Sequence, residues 1–378
     1  MIRREQAILV GVGRGPLDRR ALDEHLDELE RLAETAGARV AGRIVQDRGP
    51  VSPPTLLRSG KVQELKRLCE ETGAKLVISD DDLSPAQVRN LETEVEATVL
   101  DRSGLILDIF ARRARSREAR TQVELAQLRY LLPRLTRRWT HLERQAGGIG
   151  QRGVGETQLE TDRRLVRKRV AKLESELKSI ENERRERRKR RGGVPKVALV
   201  GYTNAGKSTI LNLLTGAGTF VEDRLFATLD PLVRRVDRPG TKPFLVIDTV
   251  GFIRKLPHHL VASFRSTLEE AAEADLLLHV ADASSATLAE HLRATTETLE
   301  GLHLADRPTL LVLNKRDRVP APHLELLLGD HPGALAVSAL APADGEVLRR
   351  AIERSLASAA LERAESGDAL LVARGSQA

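Results

Sequence analysis

Val197 to Leu214 reads VALVGYTNAGKSTILNLL. An apolar run, Val197 to Val200, leads into Gly201; Gly206, Lys207 and Ser208 follow at the spacing GxxxxGK[ST], and an amphipathic run begins at Ile210. That order predicts a strand, a phosphate-binding loop and a helix. Glycines at 201 and 206 let the backbone approach an anion, so that successive N–H groups and the positive end of the helix face it. Lys207 can reach the β- and γ-phosphates of a nucleoside triphosphate, and the Ser208 hydroxyl can ligate Mg²⁺. Gly201, Tyr202, Thr203, Asn204, Ala205, Gly206, Lys207, Ser208 and Thr209 are therefore the first candidate contacts.

Working downstream, FLVID ends in Asp248 and is followed by Thr249, Val250 and Gly251. An Asp at such a strand end holds a Mg²⁺-bound water in P-loop NTPases, and the glycine N–H meets the γ-phosphate. Between these motifs lies LFATLDP, Leu225 to Pro231. Its Thr228 is the candidate hydroxyl for completing the Mg²⁺ shell, with Phe226, Ala227, Leu229 and Asp230 beside it. Leu310 to Leu313 leads into Asn314, Lys315, Arg316 and Asp317, the pattern NKxD. An Asp carboxylate there can accept from both N1–H and the 2-amino group of guanine, a donor pair that adenine lacks. Lys315 can pack its stem over the ring, and Asn314 can brace the phosphate loop. Ser338, Ala339 and Leu340 follow a last apolar strand and supply a loop whose backbone N–H can reach the guanine oxygen. Four motifs in this order imply GTP rather than ATP, with GDP as product.

The residue after Gly251 bears on catalysis. Ras-like enzymes orient the attacking water with a Gln there, whereas this chain has Phe252. A hydrocarbon cannot orient water, so hydrolysis should be slow alone and should need a cation or a partner. The Asn204 carboxamide can help to hold a monovalent cation such as K⁺ near the phosphates, or can merely brace its own loop. Lys207, Thr228, Gly251 and Asn204 form the candidate catalytic set. His258 and His259 read as surface or capping residues.

The remaining composition sets the context. The chain has 378 residues, enough for two or three domains, and a net charge of +7 that is unevenly spread. Thr157 to Arg191 holds fourteen Lys/Arg against seven Asp/Glu and ends in RRERRKRR, Arg184 to Arg191. Such a stretch reads as a nucleic-acid or membrane-surface patch, or as a solvated helical face with a basic linker. The single cysteine, Cys69, occupies an apolar helix position and reads as a buried thiol. No secretory signal or membrane-span-length apolar run is present, and the expectation is a cytoplasmic protein, monomeric when free.

Residues 1–110 alternate strand and helix signals, which predicts a small parallel sheet covered by helices. Strands are expected at Ala7 to Val10, Arg39 to Val45, Lys75 to Ser79 and Ala97 to Leu100. Leu22, Leu26, Leu29 and Leu32 share one face of the first helix, and Ser84-Pro85 opens another. GVGRG at Gly11 to Gly15 fails the dinucleotide pattern, because Pro16 stands where a third glycine is needed. Residues 111–192 carry two stripes of 3.5-residue period. The first is Leu125, Leu128, Leu132, Leu135, Trp139 and Leu142; the second is Leu159, Val166, Val170, Leu173, Leu177 and Ile180. They predict an antiparallel helical hairpin, each seam burying the other, with a kink at Pro133. Its tip contains Gly147, Gly148, Gln151, Arg152, Gly153 and Gly155. A glycine-rich turn carrying an arginine can lie flat against a phosphate backbone or a base; a plain hinge would also explain it. Residues 193–360 would form the Ras-like P-loop GTPase domain, closed by a helix near Asp344 to Ala357, and 361–378 a short polar tail.

GGIGQRGVGETQLETDRR at Gly147 to Arg164, with LSPAQVRNLE, DRSGLILDIFARRA, QVELAQLRYLLPRL, VGYTNAGKST, LFATLDP and DTVGFIRKLP, closely resembles the HflX family of translational GTPases. The resemblance implies an α/β subdomain plus hairpin that binds the 50S subunit, with the tip near the peptidyl transferase centre of 23S rRNA. It also implies the splitting of stalled or idle 70S ribosomes under stress, with hydrolysis stimulated by the ribosome. Roles in large-subunit assembly or tRNA modification are the alternatives. Leu340 departs from the Lys that many GTPases have after Ser-Ala, and the short stretch after Ser338 implies that the small carboxy-terminal domain of longer members is reduced or absent.

Overall fold

The computed structural model describes residues 5–13, 19–47, 51–135, 154–189, 193–216, 225–226, 230, 232–238, 241–254 and 271–375. The chain divides into two compact units, Met1–Ile180 and Glu181–Ala378.

The first unit is built on a four-stranded, all-parallel sheet of order β2-β1-β3-β4, from β1 Gln6–Val12, β2 Arg39–Gln46, β3 Leu76–Ser79 and β4 Thr98–Asp101. Parallel strands need crossovers, and α1 Arg19–Thr35, α2 Ser59–Thr72 and α3 Pro85–Val95 supply them. Leu22, Leu26, Leu29 and Leu32 are all buried, as their helical spacing requires. Ile8, Val10, Ile44, Leu65, Val77 and Val99 belong to one core cluster, together with the buried Cys69. α3 starts as its sequence predicts: Ser84 Oγ accepts from Gln87 N, Gln87 Oε1 accepts from Ser84 N, and Pro85 fills the first helical position.

Three features depart from expectation. A further helix, α4 Arg102–Arg113, starts directly on the Asp101 cap and runs across residue 110. It packs against α1 and α5 Arg117–Leu131, so the sheet and the first hairpin helix share one unit. At Pro133, where the sequence predicts a kink, α5 has ended at Leu131 and given way to a 3₁₀ turn, Leu132–Arg134, because proline cannot donate the next helical bond; the stretch after residue 135 lies outside the described residues. The long helix α6 Val154–Lys189 contains Gly155, which the sequence reading grouped with the tip.

α5 and α6 run antiparallel, joined by ion pairs Arg117–Glu176, Glu124–Arg169 and Arg129–Glu174. Their mutual burial is thinner than two heptad stripes predict. Leu173 is buried, but Val166, Val170, Leu177 and Ile180 are only half-buried, and Leu128 is half-buried on the other side. Charged residues crowd the flanks of the α6 stripe, leaving a narrow apolar seam.

The second unit carries a six-stranded sheet of order β10-β9-β8-β5-β7-β6. Its strands are β5 Lys196–Val200, β6 Leu232–Val236, β7 Phe244–Asp248, β8 Leu276–Asp282, β9 Thr309–Asn314 and β10 Leu335–Ala336. All pairings are parallel except β6 with β7. The helices described are α7 Lys207–Thr215, α8 Leu288–Gly301, α9 Ala321–Asp330 and α10 Pro342–Gly375. α10 continues through much of the stretch read as a polar tail. The carboxyl ends of β5, β7, β9 and β10 converge on one edge, the usual place for a ligand in an open α/β sheet.

Candidate functional site

The loop after β5 wraps the amino end of α7. Gly201 has φ 144° and lies against β8: a Cβ there would stand 2.1 Å from the Val280 carbonyl oxygen. Gly206 has φ 95°, and a Cβ would meet Asn314 Nδ2 at 2.2 Å. Both positions therefore exclude side chains by space as well as by dihedral. Asn204 sits between them at φ 61°; its carboxamide is exposed and makes no hydrogen bond among the described residues. Self-bracing by that side chain, one of the two readings of Asn204, is not what the structure displays.

Lys207 is buried, with Nζ donating to Gly201 O at 3.0 Å and Tyr202 O at 2.9 Å. Burial pulls its pKa from 10.5 down to about 8, against a smaller opposing pull from Asp248. Ser208 Oγ donates to Asp248 Oδ2 at 2.6 Å, and Asp248 is itself buried. A hydroxyl and a carboxylate this close are hard oxygen donors of the kind Mg²⁺ takes. Thr249 Oγ1 donates to Leu199 O, holding the end of β7 to β5. Gly251 lies directly on the loop: a Cβ there would be 2.7 Å from Thr203 Cα and 2.9 Å from Lys207 Nζ. Phe252 is buried and bridges Tyr202 through backbone bonds, so its ring faces the core.

On the opposite side of the loop, Asn314 Nδ2 donates to Ala205 O at 2.8 Å while its Oδ1 accepts from Ala339 N at 3.0 Å. One amide thus ties the phosphate loop to the loop after β10. Lys315, at φ 62°, donates from Nζ to Asn204 O at 2.9 Å and to Asp282 Oδ2 at 2.7 Å. Burial pushes the Asp282 carboxyl up, but bonds from Lys315 and Ser284 outweigh it and hold the group below its ordinary value. Arg316 forks onto Asp344, which also accepts from Ser338 N at 2.6 Å. The bond from Arg316 is the main reason that Asp344 stays below the ordinary carboxylate range. Asp317 is exposed at the rim, as is Leu340.

The structure therefore gathers Gly201 to Thr209, Asp248 to Gly251, Asn314 to Asp317 and Ser338 to Leu340 at one sheet edge. Leu225, Phe226 and Asp230 are described; Ala227, Thr228 and Leu229 lie outside the described residues, as do His258, His259, Gly147, Gly148, Gln151, Arg152 and Gly153. Two participants escaped the sequence reading. Asp282 and Asp344 each orient a residue of the NKxD stretch, yet lie 33 and 28 residues from their partners with no local motif to mark them.

Comparison with known proteins agrees with this layout. A family model described as GTP-binding GTPase N-terminal matches residues 23–111, GTP-binding GTPase Middle Region matches 113–191, and 50S ribosome-binding GTPase matches 196–315. GTPase HflX of Escherichia coli is 51% identical over 296 residues, 78% of this chain and 70% of that protein. GTPase HflX of Flavobacterium psychrophilum is 50% identical over 313 residues, 83% of this chain and 76% of its own length. Among solved structures, SsGBP in complex with GDP is 27% identical at a TM-score of 0.51, covering 94% of this chain and 99% of that one. With half of its residues shared over most of its length, and the phosphate loop, carboxylate and NKxD elements at one sheet edge, the chain belongs to the HflX family of GTPases, hydrolases of GTP.

Proposed function

We propose that this GTPase works on the ribosome, docking its first unit on the 50S subunit through 23S rRNA and splitting stalled or idle 70S ribosomes under stress. The observation that carries the reading is the face of α6. Arg164, Arg167, Lys168, Lys172 and Lys178 are exposed on it and form no ion pair among the described residues, while Arg169 is neutralised by Glu124. A rod of such cations, preceded in the sequence by the glycine- and arginine-bearing stretch before Val154, suits an RNA phosphate backbone. The family relationship to a 50S ribosome-binding GTPase supports the same partner.

At the nucleotide edge, loop N–H groups and Lys207 hold the phosphates, and Asp317 accepts from guanine. Ser208, and Asp248 through water, would hold Mg²⁺, which supplies charge neutralisation between the phosphates; Thr228 would complete that shell. The Asn204 carboxamide would take K⁺. Gly251 N–H meets the γ-phosphate, so GTP orders the Thr228 and Gly251 loops and biases the docking of the hairpin. Because Phe252 cannot orient water, turnover alone is slow and the ribosome supplies the missing stimulation.

The test is GTP turnover alone and with purified large subunits, wild type against Arg152→Ala. Strong stimulation that Arg152→Ala loses is expected, as is affinity that falls steeply with salt. No stimulation of the wild type overturns the ribosomal reading and leaves a GTPase with another partner; 70S particles that stay associated in the presence of GTP would favour large-subunit assembly.

A further inference from the structure

Tyr202 and Thr203 carry side chains that phosphate binding does not use. The loop meets an anion with backbone N–H groups, Lys207 and the Ser208 hydroxyl; the Tyr202 and Thr203 hydroxyls are instead spent on the two loops that flank the nucleotide. Tyr202 Oη accepts from Arg254 N at 2.9 Å, and Thr203 Oγ1 accepts from Phe226 N at 3.0 Å. Between them the backbone is already paired: Thr203 N donates to Phe252 O at 2.7 Å, and Phe252 N to Gly201 O at 3.0 Å. The hydroxyls extend this pairing outward, one towards the chain beyond Phe252 and the other towards the chain that leads into Thr228.

The Tyr202 ring is also fixed in place. It is buried and stacks on His291 of α8, centroids 3.8 Å apart and planes 15° from parallel. The His291 ring in turn lies within reach of Thr287 Oγ1 at 3.2 Å and Ser285 Oγ at 3.5 Å. A clamped ring cannot swing aside, so its hydroxyl holds Arg254 N at a set distance from the phosphate loop. Thr203 is buried too, and Gly251 rests on its Cα.

The geometry points to Tyr202 and Thr203 as positioning residues of the GTPase reaction, which transmit a movement of the phosphate loop to both flanking loops through one hydrogen bond each. Neither residue touches the reacting atoms through its hydroxyl. Each acts through the backbone N–H that it holds, and so sets how often the Phe226 and Gly251 segments are in place for hydrolysis.

The bonds run from backbone amides, so hydrogen exchange reads them one at a time. The experiment uses the full chain as wild type, Tyr202→Phe and Thr203→Val, each variant keeping the shape of the side chain and losing only the hydroxyl. Tyr202→Phe is expected to speed exchange at Arg254 about tenfold and to leave Phe226 unchanged, and Thr203→Val to do the reverse, since one hydrogen bond is lost in each. In parallel, kcat for GTP should fall by several-fold while KM changes by less than about twofold, because ground-state nucleotide contacts are kept. Unchanged exchange at both amides would overturn the proposal. So would acceleration spread across the whole second unit, which marks loss of fold, or a rise in KM at constant kcat, which marks an ordinary nucleotide contact.

Discussion

Arg134 Nη2 donates to Asp101 Oδ2 at 2.8 Å, tying the turn that ends the first hairpin helix to the carboxyl end of β4. Asp101 is fully buried and also accepts from Tyr130 Oη at 2.7 Å, Gly104 N at 2.9 Å and Leu83 N at 3.2 Å. The Arg134 guanidinium covers the Tyr130 ring at 3.6 Å from its centroid and donates to Leu83 O as well. Removing the cation strands a buried carboxylate, and Arg134→Ala should cost roughly 2–4 kcal/mol. Thermal unfolding checks this; a midpoint within about 1 °C of wild type would contradict it.

Gly104 makes that junction possible. A Cβ on it would stand 2.6 Å from Leu100 Cδ1 and 2.7 Å from Tyr130 Oη. Gly104→Ala should therefore destabilise the first unit by roughly 1–3 kcal/mol, as overpacked positions do. Combining it with Tyr130→Phe should recover part of the loss, and strictly additive denaturation midpoints would show that the hydroxyl is not what the methyl group meets.

Lys207 predicts a pH dependence. Burial holds it at about 8, and a bound polyphosphate restores its charge, so binding above that pH takes up a proton. GDP affinity should be level below pH about 7.5 and fall towards tenfold per unit above about 8.5, read by titration calorimetry. Folding follows the opposite sign. The unfolded chain keeps this proton up to 10.5, so between about 8 and 10.5 the penalty for burying the charge fades and the group's contribution to stability improves. Lys207→Ala should abolish GTP binding.

Asn314→Ala removes both bonds that join the phosphate loop to the loop after β10. The bond to Ala205 is buried and that from Ala339 partly so, and losing the pair should weaken GDP binding by about tenfold to a hundredfold. Fluorescence titration with a labelled GDP measures it; wild-type affinity would mean that the two loops hold their positions without this amide.

How much of this was legible in the sequence differs element by element. The strand-loop-helix at Val197, the Ser84-Pro85 start and the leucine face of α1 are local codes, written within four or five residues, and the structure follows them. α4 went unread because it follows β4 with no turn between them, starting on the Asp101 cap itself, so that no loop residues mark its beginning. The hairpin seam was overstated since a stripe counts apolar positions, whereas burial depends on what faces them, and much of what surrounds Leu173 on α6 is charged. Tyr202 with His291 and Asp282 with Lys315 are pairings that only the folded sheet edge creates.

Cys69 is the chain's single cysteine, it is buried in the first unit's core, and burial pushes its thiol up. Little thiolate is present at neutral pH, and maleimides have no path to it while the core is closed. The protein is thus a ready substrate for site-specific labelling without a cysteine-free background. A cysteine placed on exposed Lys178 and another on exposed Glu325 of α9, away from the nucleotide edge, would take up a donor and an acceptor dye alone. Energy transfer between them could then follow the two units through a GTPase cycle, while a slow third label at Cys69 would report opening of the core.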